Sequence, residues 1–105
     1  MSVKRSNSRT KRNLRGTLSD RRDFELKILG HSFKIIFTDS ILELGLMNTR
    51  SSTIYLDSGQ ADSQLESTLI HEVIEAINAL LELGLTHTQI CSLEAALHQV
   101  YEANS

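Results

Sequence analysis

The sequence predicts an α+β domain, a small three-stranded sheet followed by two helices, behind a disordered basic N-terminal tail. Three observations carry that prediction. Apolar and polar residues alternate from Phe24 to Ile28, and a second apolar run follows at Phe33–Phe37, as strands of a half-buried sheet require. An apolar stripe of helical period then runs from Leu65 to Leu81. Charge is also sharply divided. Of eleven Lys/Arg, eight lie in residues 1–22, and of thirteen acids only Asp20 does. Residues 23–105 therefore keep three bases against twelve acids, a net of −9, although the whole chain carries only −2.

The elements follow in order. In residues 1–22, Val3, Leu14 and Leu18 are the only sizeable aliphatics after Met1. That is too little apolar surface to offset ordering entropy, so the segment is read as disordered. Its Lys and Arg residues make nucleic acid a candidate partner, through release of phosphate counterions. It has no apolar core of the secretory-signal type. No apolar run in the chain nears the roughly 18 residues of a membrane span, so no membrane partner is expected. The single cysteine, Cys91, excludes an intramolecular disulfide framework, and a reducing, cytoplasmic setting is the expectation.

The domain, 23–105, opens with a hairpin: strand Phe24–Ile28, a turn through Leu29-Gly30-His31-Ser32, and strand Phe33–Phe37. Asp39 to Leu46 reads equally as a helical turn or a loop. After the polar turn Asn48–Ser52 comes a third strand, Thr53–Leu56. Ser63 and Glu66 have capping-box spacing, with Asp62 as a competing N-cap. Leu65, Leu69, Val73, Ala76, Ile77 and Leu80 then form the helical stripe, and Gly84 is the expected C′ residue. Thr86 and Gln89 form a second capping box. They open a last helix with apolar Ile90, Leu93, Leu97, Val100 and Tyr101. The link Gly84-Leu85-Thr86 is so short that the two helices must form an antiparallel pair or a steep corner.

The chemistry lies in the first of these helices, at Leu69-Ile70-His71-Glu72-Val73-Ile74-Glu75. His71 and Glu75 are four apart and share a face. An imidazole nitrogen and a carboxylate oxygen so placed reach one Zn²⁺ at about 2.0–2.2 Å. Glu72 stands where the glutamate of an H-E-x-x-H helix acts as general base, and Glu75 replaces the second histidine of that pattern. The competing reading is a solvated His/Glu patch or a hydrogen-bonded histidine bordering the core.

The strand Ser52–Asp57 followed by Glu66-Ser67-Thr68-Leu69-Ile70-His71-Glu72-Val73-Ile74-Glu75-Ala76-Ile77 resembles the core of small phage and prophage zincin-like metallopeptidases, the ImmA-type and SprT-like proteins among them. Leu83–His87 and Leu93–Leu97 are similar to the tail of short phage-encoded members. The resemblance spans about residues 24–103. It implies a minimal zincin-like fold, a bound Zn²⁺, peptide or protein substrates, and Glu72 as the base. It also implies a third protein ligand. On the last helix His87, Cys91, Glu94 and His98 fall on one stripe at about 100° per residue. Glu94 lies nearest the core side and is the expected third ligand; His87, at the first turn, is the alternative. A later-helix glutamate also agrees with the gluzincin pattern. The metal set expected from the sequence is thus His71, Glu75 and Glu94. The expected function is zinc-dependent peptide hydrolysis, with Thr53–Leu56 as the edge that pairs an extended peptide. The alternative is a non-enzymatic phage accessory protein that keeps the fold and touches nucleic acid through residues 1–22.

Overall fold

The computed structural model describes residues 14–104. Their order is α1 (Leu14–Asp20), β1 (Phe24–Ile28), β2 (His31–Thr38), β3 (Gly45–Asn48), β4 (Thr53–Asp57), α2 (Asp62–Leu81) and α3 (His87–Asn104). The α+β class holds, with four strands and three helices among the described residues where the sequence predicts three and two.

β1 and β2 form the expected hairpin. Ile28 pairs with His31, and the two loop residues Leu29 and Gly30 both have positive φ, 51° and 83°. That is the type I′ geometry matching the right-handed twist of the strands, and Gly30 adopts it without a Cβ penalty. The crossover then places β4 parallel to β2, with Ile35 opposite Ile54 and Phe37 opposite Leu56. β3 adds antiparallel to the far side of β4, giving the strand order β1-β2-β4-β3. The strand Thr53–Leu56, expected at the sheet edge, is therefore interior. The edge beside it is β3. Its sequence concealed it, because in Gly45-Leu46-Met47-Asn48 it is Leu46 that points to solvent.

One sheet face buries Phe33, Ile35, Ile54 and Leu56 against Leu65, Leu69 and Ala76 of α2. Burying side chains of this size contributes roughly 1.5–3 kcal/mol each before entropy is counted. α3 packs on α2 rather than on the sheet. The Thr86/Gln89 capping box forms reciprocally: Thr86 N–H donates to Gln89 Oε1 at 2.9 Å and Gln89 N–H to Thr86 Oγ1 at 3.1 Å. The Ser63/Glu66 box does not. Ala61 is the N-cap and has no side-chain acceptor, Ser63 lies inside the helix, and Glu66 bonds Arg15 instead. α2 stops at Leu81 with Glu82 in the left-handed region, ahead of Gly84.

The tail read as residues 1–22 is corrected at its C-terminal end. Leu14–Asp20 is helical, and Leu18 joins the core at 2% exposure. Arg15 pairs with Glu66, and Arg21 pairs with Asp62 at 2.5 Å. Two leucines gave no legible period, so this helix owes its place to tertiary contacts. Residues 1–13, the rest of the expected tail, lie outside the described residues. Among those described, no helix is long and apolar enough to cross a membrane.

Candidate metal centre

α2 presents His71 and Glu75 on the side where α3 and β3 approach. His71 Nε2 lies 3.4 Å from Glu75 Oε2. On the other side of the ring, Nδ1 lies 2.8 Å from Oε1 of Glu94, brought in by α3. The second Glu94 oxygen accepts the Ser67 hydroxyl from α2. His87, at the first turn of α3, sets its ring edge-on to His71 with centroids 5.8 Å apart. Cys91 Sγ stands 3.4 Å from His87 Nε2.

The expected set of His71, Glu75 and Glu94 thus meets at one imidazole, but at opposite nitrogens. One imidazole nitrogen gives an ion one lone pair, so Glu75 and Glu94 address different sides of the ring. The atoms that converge within 4.8 Å of one another are those of His71, Glu75 and His87, the last being the alternative read from the sequence. A second grouping, His71, Cys91 and Glu94, shares the same histidine. When Nδ1–H donates to Glu94, the Nε2 lone pair faces the Glu75 carboxylate. In the singly protonated ring two acceptors then confront each other, an arrangement that a bound cation or a second ring proton resolves. Two imidazoles and a carboxylate are a zinc donor set. Glu94 fits the role of the carboxylate behind a ligating histidine, fixing its tautomer and ring orientation.

Glu72 lies about 100° around α2, beneath β3. It is 8% exposed, and no hydrogen bond or ion pair reaches its carboxylate among the described residues. Burial pushes its pKa up to about 7. His71 works against that rise, and the charges of Glu75, Glu94 and Glu43 add to it. Clefts of about 240 and 280 Å³ flank the His71–Glu72 pair. Leu44, Gln64, Thr68 and Glu94 line the first, and Leu46, Met47 and Glu75 the second, with Gly45 in both. Among the described residues, no Lys or Arg lines either one.

Gly45 is the residue the sequence did not single out. A Cβ there would sit 2.6 Å from Thr68 Cγ2 and 3.0 Å from both Cγ and Oε2 of Glu72. Its absence lets β3 close over the Glu72 side chain and leave it only 8% exposed. A buried network holds the strand there. Thr68 Oγ1 donates to Gln60 Oε1 at 2.7 Å, and the Gln60 amide donates to Leu44 O and Asp57 O at 2.9 and 2.8 Å. No local pattern announces these contacts; they exist only once β3 lies beside α2.

Comparison with protein-family models, with curated proteins and with solved structures found no match.

Proposed function

We propose that this protein is a zinc-dependent hydrolase of the metallopeptidase type, with His71, Glu75 and His87 holding the ion and Glu72 as general base. The observation that carries this reading is the convergence of those three donors beside a buried carboxylate, unpartnered among the described residues, with a pKa of about 7. A base poised near neutrality combines a usable deprotonated fraction with useful proton affinity. Zinc, when bound, supplies the Lewis acidity that polarises a peptide carbonyl and lowers the pKa of water. The chain's own groups do the rest. Glu72 takes the proton as water oxygen bonds to the carbonyl carbon. It then delivers that proton to the nitrogen as the C–N bond breaks, so the products are a carboxylic acid and an amine. Glu94 holds the His71 ring in place throughout. The edge of β3, unpaired among the described residues, rather than Thr53–Leu56, would pair an extended peptide beside the clefts, with Leu44 and Leu46 as apolar contacts.

The proposal extends to a phage-type setting and a cytoplasmic location only through the sequence resemblance. Phosphate contacts by the N-terminal segment fall to Lys4, Arg5, Arg9, Lys11, Arg12 and Arg22, since Arg15 and Arg21 are engaged within the fold.

Elemental analysis of the purified full chain tests the centre. About one zinc per chain is expected, lost in His71→Ala and retained in Glu72→Gln, with turnover of a peptide library falling at least about 10²-fold in the latter. Zinc retained by the His71→Ala, His98→Ala double variant would overturn the centre. A metal-loaded wild type without turnover would return the chain to the non-enzymatic reading.

A further inference from the structure

α2 and α3 run antiparallel and carry the same pair twice. His71 and Glu75 stand four apart on α2, and His98 and Glu102 stand four apart on α3. Each histidine also meets a carboxylate from the opposite helix: Glu94 reaches His71, and Glu66 reaches His98 at 3.4 Å from Nε2. His98 Nε2 lies 3.3 Å from Glu102 Oε2. One donor atom each from Glu66, His98 and Glu102 falls within 4.8 Å of the others. Glu66 is 5% exposed, so a full charge there demands a partner.

The two clusters differ in their counter-charge. Among the described residues no Lys or Arg lines the clefts at the first, whereas the second holds Arg15. Its Nε donates to Glu66 Oε2 at 2.5 Å and Nη2 to Oε1 at 3.1 Å, a two-pronged fork. Nη2 also lies 3.6 Å from Glu102 Oε2, and the guanidinium carbon sits 5.1 Å from the centre of the Tyr101 ring. The fold has thus built a cation site and filled it from its own first helix. The guanidinium meets the two carboxylates, at Glu66 and Glu102. A divalent ion of the zinc type satisfies carboxylate and imidazole alike.

We infer that Glu66, His98 and Glu102 form a second divalent-metal site for which Arg15 is the built-in competitor, so that an ion there and the docking of α1 through Arg15 exclude each other. The exchange frees the Arg15 turn of α1 while Leu18 keeps the helix in the core. It makes the N-terminal segment responsive to free metal at a place separate from the first centre.

The test uses Zn²⁺ alone in a His71→Ala background of the full chain, which separates its outcome from that of the first centre. Adding Arg15→Gln is expected to raise the affinity for one Zn²⁺ at least about 10-fold by equilibrium dialysis, and further adding His98→Ala to abolish that gain. An unchanged affinity, or a gain that survives His98→Ala, overturns the site. Where Arg15→Gln does not fold, the wild type decides. The hydrogen-bonded Nε–H resonance of Arg15 should shift or vanish on saturation with Zn²⁺ in wild type and stay fixed in His98→Ala. A resonance unmoved in wild type, or moved equally in both, overturns the exclusion.

Discussion

Glu72 shows what burial does to one carboxylate. Its folded pKa of about 7 stands above the ordinary value of 4.5. Between those values the folded chain binds more protons than the unfolded one. The associated stability is fully present below pH 4.5 and is lost as pH rises through 7. At about 1.4 kcal/mol per pH unit the loss is roughly 3 kcal/mol. Urea unfolding of metal-stripped protein at pH 5 and pH 8 should show that loss in wild type and a smaller one in Glu72→Gln. Parallel profiles would remove the desolvation argument. A second expectation separates ligand from support. His87→Ala should lose the zinc, whereas Glu94→Gln should keep it at an affinity lower by about 10–100-fold, the usual cost of removing a carboxylate behind a ligating histidine. The reverse ranking in a competition titration would restore Glu94 as the third ligand.

Among the elements, β3 and α1 are the two that sequence periodicity does not reveal, and each is held by contacts rather than by propensity. For β3 the contact is the close approach at Gly45. Gly45→Ala should force the strand off Thr68 and Glu72 and cost about 1–3 kcal/mol, the range for overpacking. It should also open Glu72 to water and lower its pKa, read by carboxylate NMR titration; a neutral substitution would mean that the strand sits farther out. For α1 the contact is Leu18. Leu18→Ala should cost about 2–5 kcal/mol in thermal or urea unfolding, as for other buried leucines.

At the scale of the whole molecule, the N-terminal segment is part of the domain from Leu14 onward. Deleting residues 1–22 should lower stability by at least the cost of losing Leu18, measured against a chain that begins at residue 14. Equal midpoints for the two chains would return α1 to the tail. The division of charge has a consequence at the same scale. With −9 on residues 23–105, Arg15 and Arg21 dock α1 onto an acidic body through Glu66 and Asp62. The exposed Arg21–Asp62 pair should weaken with salt, while the pair on buried Glu66 should be less affected.

The sequence by itself determined the elements whose signals are local. The period of two set β1 and the hairpin, the 3.6-residue stripe set α2, and the Thr86/Gln89 pair set the start of α3. It also determined that His71 and Glu75 share a face, because spacing on one helix fixes that angle. Tertiary structure decided everything that depends on two elements meeting. It placed β3 and not β4 at the edge, since strand order follows from the parallel crossover and not from any one strand's pattern. It set Glu94 against Nδ1 and grouped His87 with Glu75, since α3's docking angle and rotation choose which of four residues on one stripe faces which nitrogen. It brought Arg15 to Glu66 across 51 positions of sequence, a contact that no local rule encodes.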